Sequence, residues 1–404
     1  MILKIIYYLL IVITNIYGLY FIITAIPVFI KKEKNIKHPD KLHYFEILIP
    51  ARNEEQVIGN LINSLKKLDY DKTKYEITVI LNNTQDKTKD ISLSQGANII
   101  ECQNKITCKG DALKEAFNFF KKRQDIDAYI IIDADNIVDA SFLTHMNNSL
   151  NKGYQVAQGF RDIKNLNTNW ISSSYALYYY IQNLFFNKSR ILNNSSSSIN
   201  GTGFMIKKDL IDSEGFNTKT LTEDIEFAGL CSLNNIKIDY VSEAITYDEQ
   251  PTSFKVSWNQ RKRWSKGALE CFKIYSSKLL INIKNNKSSL DMFLLYSSPI
   301  IQVLTVITFI LSLIINFQNK TLLTSKNIIL MLIFTIVACL IQILICLYVI
   351  ILNKKSIKKY LSGILLFPIF LLTWIPINII ILIKKNIKWQ SIPHTHTVSI
   401  DEIN

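Results

Sequence analysis

Four long apolar stretches, one near the start of the chain and three near its end, constrain this sequence more than any other feature. Residues 5–30 contain no charged side chain, and uncharged stretches return at 292–317, 328–352 and 360–383. About 20 consecutive apolar residues are enough to cross the hydrocarbon core of a bilayer as a helix. The sequence therefore predicts four candidate membrane spans, with most of the polar chain between the first and the second.

A lysine cluster directly after the first stretch predicts the orientation of the chain. The cluster consists of Lys31, Lys32, Lys34 and Lys37. Because positive residues beside a span favour the cytoplasmic side, we expect a multi-pass protein of the cell membrane with residues 31–291 in the cytoplasm. A cleaved signal peptide is the alternative for residues 1–30, but its apolar core would normally be shorter and end at a small-residue cleavage site.

The fourth apolar stretch allows two topologies because it contains Pro368 and Pro376. If it crosses the bilayer fully, Lys384 and Lys385 end outside, against the positive-inside rule. It can instead form a re-entrant or interfacial pair of short helices, which requires burial against protein. The sequence leaves open the side on which the polar tail, residues 384–404, lies.

The excess of basic residues fits a membrane surface better than a nucleic acid. Lysine and arginine number 46 against 33 aspartates and glutamates, a formal charge of +13. Many of the lysines lie at membrane edges, and no basic patch with interleaved aromatic residues stands out. Anionic lipid and an anionic substrate explain the charge, and no nucleic-acid partner is expected.

Strand-like and helix-like segments alternate between the first and second spans. Glu46–Ile49 reads as a strand followed by a helix capped by Asn53, and Asp111–Arg123 has the apolar spacing of an amphipathic helix. Ala128–Ile132 is wholly apolar, as a central parallel strand should be. The alternation predicts a doubly wound α/β sheet that binds ligands at the carboxyl ends of its strands. The glycine-rich dinucleotide and P-loop motifs do not occur at those turns.

Two aspartates follow the buried strand directly. Asp133 and Asp135 stand at i and i+2 after Tyr129–Ile132. Carboxylates at this spacing on a turn can converge on one hard cation, which in turn neutralises a diphosphate. A solvated turn with two acids is the alternative.

A second acidic pair opens a predicted helix at 225–233. Thr222 is a candidate N-cap, and Glu223 and Asp224 follow it. Acids in a first helical turn are favoured by the helix dipole, so plain capping explains them. The functional alternative is a general base held at the start of a helix.

The string from Gln260 to Trp264 lies in a predicted helix over 254–275. Gln260, Arg263 and Trp264 share one face of that helix by their i, i+3, i+4 spacing. Guanidinium and amide groups suit phosphate oxygens, and an indole suits the apolar face of a sugar ring. A basic amphipathic helix on the bilayer surface is the alternative, and both can hold.

Two further features carry weaker information. Gly201 and Gly203 would allow the backbone to approach a ligand closely, although a turn at a strand edge needs them equally. Lys109 opens the helix that contains Asp111 and would place a cation beside a phosphate, unless it is only a surface charge.

Taken in order, these motifs resemble those of the processive, membrane-embedded family 2 glycosyltransferases, which include cellulose, chitin, hyaluronan and poly-N-acetylglucosamine synthases. The resemblance rests on D-x-D at 133–135, T-E-D at 222–224 and Q-x-x-R-W at 260–264, between membrane segments. It covers about 45–275. It implies a GT-A domain inserted between transmembrane helices, a UDP-sugar donor, and Mg²⁺ or Mn²⁺.

The resemblance also implies residue roles. On the donor side it assigns Ala51, Arg52, Glu54, Asn82, Lys109, Asp133, Gln260 and Arg263 to the nucleotide and diphosphate, with Asp135 and Asp133 as metal ligands. Asp224 would be the catalytic base, and Glu223, Gly201 and Trp264 would contact the acceptor. Asn82 departs from the family, because many relatives carry an Asp there facing uracil. An amide oxygen can still accept from the uracil N3–H.

The predicted organisation has five parts: an N-terminal transmembrane helix at 1–30, a cytoplasmic GT-A domain at 31–250, interfacial amphipathic helices at 251–291, C-terminal transmembrane helices at 292–383, and the polar tail.

The predicted function is inverting, metal-dependent, processive transfer of sugar from a UDP-sugar to a growing polysaccharide at the membrane. Single addition to a lipid-linked acceptor is the first alternative, since it needs the same carboxylates. A non-catalytic nucleotide-sugar-binding scaffold or a transporter is the remote one. An accessory subunit or a homo-oligomer is compatible with every alternative.

Overall fold

The computed structural model describes residues 1–33, 39–166, 168–318, 325–384 and 398–402. The strands are β1 (Phe45–Ala51), β2 (Tyr75–Leu81), β3 (Asn98–Glu101), β4 (Ala128–Ile131), β5 (Ile137–Val138), β6 (Val156–Ile163), β7 (Phe204–Lys207) and β8 (Ile238–Asp248). The helices are α1 (Ile2–Ala25), α2 (Pro27–Ile30), α3 (Ile58–Lys66), α4 (Thr88–Ser94), α5 (Lys109–Phe120), α6 (Phe142–Asn151), α7 (Trp170–Ile181), α8 (Ser189–Leu192), α9 (Lys208–Glu214), α10 (Glu223–Leu233), α11 (Phe254–Asn282), α12 (Ser288–Gln318), α13 (Ser325–Leu352), α14 (Ile357–Leu372) and α15 (Trp374–Ile383). A π-helical segment, Gln182–Lys188, joins α7 to α8, and a short 3₁₀-helix spans Ile400–Glu402.

The strands form one eight-stranded sheet in the order β3-β2-β1-β4-β7-β6-β8-β5. Strands β1 to β4 run parallel, as the alternating sequence predicts, and β6 pairs in parallel with β8. The sheet is nevertheless mixed, because β7 is antiparallel to both β4 and β6. The α/β architecture is therefore confirmed, with two reversed strands, β5 and β7, that the pattern of apolar residues does not reveal.

Both faces of the sheet are buried because successive side chains of a strand point in opposite directions. Ile47 and Ile130 face one apolar core together with α3 and α6. Leu48 and Ile131 face a second core together with α5, α10 and α11. Burial on both faces explains why β4 is wholly apolar, and it places the carboxyl ends of β1, β2 and β4 at the same edge.

The turn after β1 differs from the predicted one. Asn53 does not cap a helix, since α3 begins only at Ile58. Instead Asn53 has φ +59°, and its side-chain oxygen accepts a hydrogen bond from the Gln85 backbone N–H at 2.8 Å. Asn tolerates this left-handed conformation better than most residues. Asn53 therefore joins the turn after β1 to the turn after β2.

Within the described residues, four segments are long and apolar enough to cross a bilayer: Ile2–Ile30, Ser288–Gln318, Asn327–Leu352 and Ile357–Ile383. These four candidate spans agree with the predicted positions and support a membrane protein. Helix α12 packs against α1 and α15, whereas α13 packs against α7 and α14.

The fourth segment is a kinked pair of helices, α14 and α15, joined at Thr373. Pro368 lies inside α14, and Pro376 in the first turn of α15 has no N–H with which to continue the helical hydrogen bonds. Helix α14 packs along α7 of the α/β domain. Residues 385–397, which hold most of the predicted polar tail, lie outside the described residues.

Buried contacts fix the membrane helices to the α/β domain. Asp291 of α12 accepts hydrogen bonds from Arg190 at 2.9 Å and from Tyr20 of α1 at 2.9 Å. Tyr296 of α12 donates its hydroxyl proton to the Ile225 carbonyl oxygen of α10 at 2.6 Å. The first turn of α10 is thereby held in place by a helix of the membrane segment.

Candidate active site

A cavity of about 930 Å³ lies between the carboxyl ends of the strands, helix α11 and the C-terminal membrane helices. All the residues to which the resemblance assigns a role line it: Ala51, Arg52, Glu54, Asn82, Lys109, Asp133, Asp135, Gly201, Glu223, Asp224, Gln260, Arg263 and Trp264. The structure therefore brings together residues that are up to about 210 positions apart in the chain. Their individual roles remain predictions.

The turns after β1 and β2 form one end of the cavity. The Asn82 backbone N–H donates to the Ala51 carbonyl oxygen at 3.1 Å, which continues the pairing of β1 with β2 beyond the strands. The Glu54 backbone N–H donates to the Thr88 hydroxyl at 2.8 Å. These contacts hold the predicted nucleotide-binding turns side by side.

Lys109 is the central cation of the site. Its Nζ lies 2.5 Å from Asp133 Oδ1, 2.6 Å from the Gly201 carbonyl oxygen and 3.9 Å from Glu223 Oε1. Although burial disfavours the charged ammonium, the carboxylates of Asp133 and Glu223 raise the pKa of Lys109. The ammonium therefore connects the turn after β4, the loop before β7 and the start of α10.

Asp133 and Asp135 supply two carboxylates at the carboxyl end of β4. The Asp133 backbone N–H donates to the Thr202 hydroxyl at 3.0 Å, and Asp135 Oδ1 accepts from the Asn136 amide at 2.8 Å. Among the described residues there is no cluster of three His, Cys, Asp or Glu side chains able to hold a metal. Two carboxylates fit Mg²⁺ or Mn²⁺ when substrate phosphates and water complete the coordination.

Glu223 and Asp224 begin α10, inside the cavity. Thr222 occupies the N-cap position as predicted, but its side chain makes no capping hydrogen bond and instead packs against Gly267 of α11. Burial, together with the neighbouring Asp224 carboxylate, raises the pKa of Glu223 to about 7. Burial also raises the pKa of Asp224. Capping alone does not account for two carboxylates placed in this cavity.

Gly201 leaves room for Asp224. It has φ +89°, and a Cβ at this position would lie 3.3 Å from Asp224 Oδ2. Both the backbone conformation and the close approach favour glycine over any side chain. The strand-edge explanation is thus incomplete, because the residue also faces the acidic pair.

Helix α11 presents Gln260, Arg263 and Trp264 to the cavity. Gln260 Oε1 is buried, and no described residue donates a hydrogen bond to it. Arg261 points elsewhere: it is fully buried and donates to the Phe370 carbonyl oxygen at 3.2 Å and to Thr373 Oγ1 at 2.6 Å. Arg261 therefore fastens the active-site helix to the junction between α14 and α15.

Aromatic rings that the sequence did not single out extend the surface formed by Trp264. The Trp374 ring stacks on Trp264 with centroids 6.4 Å apart, and Tyr178 stacks on Trp374 at 6.2 Å. Tyr179 meets Trp264 edge-on at 6.4 Å. We call these four rings the aromatic platform. Trp374 and the tyrosines lie in apolar segments, where an aromatic residue carries no recognisable functional pattern.

Arg161 is a further cavity residue that sequence reasoning missed. Its Nε donates to Asp248 Oδ2 at 2.6 Å, its Nη1 donates to the Asn200 carbonyl oxygen at 2.7 Å, and its guanidinium lies over the Tyr179 ring at 4.1 Å. Burial raises the pKa of Asp248 to about 6, and Arg161 opposes that rise. A single arginine within a strand does not by itself indicate a residue of a functional site.

The family model described as "Glycosyltransferase like family 2" matches residues 43–267, more than half of the chain. A Bacillus subtilis protein named "Probable glycosyltransferase YdaM" is 29% identical over 59% of this chain and 57% of its own length. The beta-monoglucosyldiacylglycerol synthase of Trichormus variabilis is 24% identical over 63% of this chain and 55% of its own length. The poly-beta-1,6-N-acetyl-D-glucosamine synthase of Staphylococcus aureus is 23% identical over 57% of this chain and 56% of its own length. The matches thus span little more than half of each relative.

Among solved structures, a mannosyltransferase of Pyrobaculum calidifontis superimposes with a TM-score of 0.62 at 12% identity, over 94% of this chain and 98% of that one. This likeness confirms the predicted fold, a GT-A-like α/β domain combined with membrane helices. The family match confirms the predicted type of protein, a glycosyltransferase of family 2 type. Sequence motifs, fold and family model agree, and the chain belongs to glycosyltransferase-like family 2.

Proposed function

We propose that this protein transfers a hexose from a UDP-sugar to an acceptor hydroxyl at the membrane, with inversion at the anomeric carbon. One observation carries the proposal. The acidic pair of Glu223, which is buried, and Asp224, which is half-buried, lies in the same cavity as Asp133 and Asp135, the turns after β1 and β2, and the aromatic platform. A donor pocket, a base and a surface suited to a sugar ring are thus adjacent.

The donor occupies the end of the cavity formed by the turns after β1 and β2. Ala51, Arg52, Glu54 and Asn82 contact the uridine, and the Asn82 amide accepts from the uracil N3–H. Asp135, with Asp133, would hold Mg²⁺ or Mn²⁺ against the diphosphate. When bound, the metal supplies positive charge that stabilises the leaving diphosphate.

Asp224 is the base in this proposal. As the acceptor oxygen attacks the anomeric carbon, its proton passes to the Asp224 carboxylate, and the bond from the anomeric carbon to the diphosphate oxygen breaks on the opposite face. Arg263 and Gln260 donate hydrogen bonds to the departing diphosphate, whose charge increases during the reaction. Glu223 and the Gly201 backbone lie beside the acceptor.

The aromatic platform supports processive elongation of a polysaccharide. Sugar rings stack on aromatic side chains, and both Trp264 and Trp374 line the cavity next to the membrane helices. A terminal sugar held there remains next to Asp224 after each addition. Poly-N-acetylglucosamine synthase, one of the curated relatives, is named for a product of this kind.

A second acceptor class has its own support. The cavity continues past the platform along apolar side chains of the membrane helices, including Val306, Leu371 and Ile375. Such walls suit the chain of a lipid-linked acceptor that receives a single sugar, and beta-monoglucosyldiacylglycerol synthase is named for a lipid product. With the α/β domain in the cytoplasm and the spans in the cell membrane, either acceptor reaches the site from the bilayer side.

Product size tests the proposal and separates the acceptors. The purified full chain is incubated in lipid vesicles with a panel of labelled UDP-sugars, with and without Mg²⁺ or Mn²⁺. We expect label in product with one sugar and a divalent metal, and none in Asp224→Asn. A high-molecular-weight polymer supports elongation, whereas one labelled lipid supports single addition. Absence of transfer from every UDP-sugar would contradict the proposal.

A further inference from the structure

Three amide side chains line the part of the cavity that extends into the membrane helices. Gln302 belongs to α12, Gln342 to α13 and Asn378 to α15. Asn378 is only 1% exposed, and its amide donates to Gln302 Oε1 at 2.6 Å. We call these residues the amide cluster. They come from three different helices, so their meeting in one cavity is a product of the tertiary packing.

The cluster has unused hydrogen-bonding capacity. Asn378 Oδ1 and Gln342 Oε1 are buried atoms without a hydrogen-bond partner in the part of the chain that the structure describes. An unsatisfied polar group is costly inside a protein and more so in a hydrocarbon environment, where water does not compensate it. Polar side chains within membrane spans commonly serve a function, and these two oxygens lack a hydrogen-bond donor among the described residues.

Other amide side chains of the candidate membrane spans are held differently. Asn316, farther along α12, donates to the Ser312 carbonyl oxygen at 2.9 Å and lies outside the cavity lining. Asn15 on α1 donates to the Ile11 carbonyl oxygen at 2.8 Å. Amides that donate to a carbonyl oxygen of their own helix thus occur in this protein. The amide cluster differs because its residues line a cavity and two of its oxygens have no hydrogen-bond partner among the described residues.

The chemistry of the cluster selects an uncharged ligand. Two accepting amide oxygens suit hydroxyl donors, and the cavity walls beside them, Val306, Leu371 and Ile375, are apolar. Lys384, which follows the end of α15, also lines the cavity. The three amides themselves carry no positive charge that would neutralise a phosphate.

We propose that Gln302, Gln342 and Asn378 form a binding subsite for hydroxyl groups of the acceptor, on the membrane side of the aromatic platform. The ligand class is an uncharged, hydroxyl-bearing acceptor, either the sugars already joined to a growing chain or the glycerol or sugar headgroup of a lipid. The identification of the ligand as the acceptor rests on the proposed function. The subsite itself is defined by binding, so it is tested without turnover.

The test measures binding in the Asp224→Asn background, so that no product forms. The probes are a soluble chito-oligosaccharide, vesicles that carry brominated dioleoylglycerol, and vesicles that carry a polyprenyl phosphate. Binding is followed by the tryptophan fluorescence of the full chain, because Trp264 and Trp374 border the cavity. Gln342→Leu removes an amide for which no hydrogen bond to the described protein is seen, so folding should be unaffected. Asn378→Leu removes the second acceptor.

We expect the oligosaccharide or the dioleoylglycerol vesicles to bind, and each Leu variant to weaken that binding by about tenfold while UDP binding stays unchanged. Asn316→Leu, the matched control on α12, should bind as the parent does. The probe that binds identifies the source of the hydroxyl groups.

Three results would overturn the subsite: unchanged affinity in both Leu variants, binding of the polyprenyl phosphate vesicles alone, or no binding of either hydroxyl-bearing probe. The failure of the proposed function looks different. In that case the wild-type chain transfers no sugar, while amide-dependent binding of a hydroxyl-bearing probe persists.

Discussion

The indole rings of Trp264 and Trp374 stack with centroids 6.4 Å apart and planes inclined by 27°. Trp264 ends the Q-x-x-R-W string on α11, and Trp374 begins α15 at the kink of the fourth membrane segment. Arg261 reinforces the same junction through the Phe370 carbonyl oxygen and Thr373. The helix that carries the predicted diphosphate ligands is thus joined to the membrane helices by its own motif.

Replacing Asp224 with Asn should abolish transfer without unfolding the chain. The amide is nearly isosteric but does not accept the acceptor proton, and a positioned base contributes about 10²- to 10⁴-fold to a rate. We expect kcat to fall within that range while the affinity for UDP is retained, measured by transfer assay and by titration with UDP. Asp209→Asn, an exposed acid on α9, is the matched control. Normal elongation by Asp224→Asn would remove the base assignment.

The acidic pair predicts the pH dependence of transfer. A base must be unprotonated, so kcat/KM should fall as the pH decreases through the raised pKa values of Glu223 and Asp224. The two carboxyl groups titrate together, so the acidic side of the pH profile of kcat/KM, here called the acid limb, reflects both residues. The fall in kcat/KM should begin at about pH 7.

Glu223→Gln tests this coupling directly. With one titrating group left and its negative neighbour removed, the acid limb should shift to lower pH and become a single-proton step. The measurement is kcat/KM against pH for both proteins at constant ionic strength. An acid limb at the same pH in the variant would show that Glu223 does not contribute to it.

Trp264→Ala should weaken acceptor binding selectively. Loss of one stacking face removes about 0.5–1.5 kcal/mol beyond the lost contact area, so KM for the acceptor should rise by about tenfold while KM for the donor changes little. Trp264→Phe keeps a ring and should be intermediate. Trp258→Ala, on the same helix but packed on Phe254 outside the cavity lining, is the control. Equal changes in both KM values would contradict an acceptor role.

Gly229→Ala should destabilise the fold through a single contact. A Cβ at Gly229 would lie 2.0 Å from the Tyr296 hydroxyl oxygen, so α10 and α12 must separate. Overpacking of this kind costs about 1–3 kcal/mol. Thermal unfolding of the detergent-solubilised protein should show a lower Tm, and adding Tyr296→Phe should recover part of the loss. Gly18→Ala, with nothing within 4 Å, should leave the Tm unchanged or raise it.

Much of the site was predictable because its motifs are local. Asp133 and Asp135 were identified from the buried strand that precedes them, and Gln260, Arg263 and Trp264 from their spacing along one helix. The turn at Asn53 was predicted wrongly, because a capping pattern and a left-handed turn use the same residue type. Arg161 was missed because its partner, Asp248, lies on another strand.

Local sequence was enough to predict the four apolar spans, the α/β alternation and the order of the motifs, since each depends on residues that are neighbours in the chain. Packing of distant elements decided the rest. It reversed β7, kinked the fourth segment, and brought Trp374 onto Trp264 and Asn378 onto Gln302. Periodicity reports which face of an element is buried, but not which other element covers it. The acceptor side of the cavity is built from such contacts, so it became visible only in three dimensions.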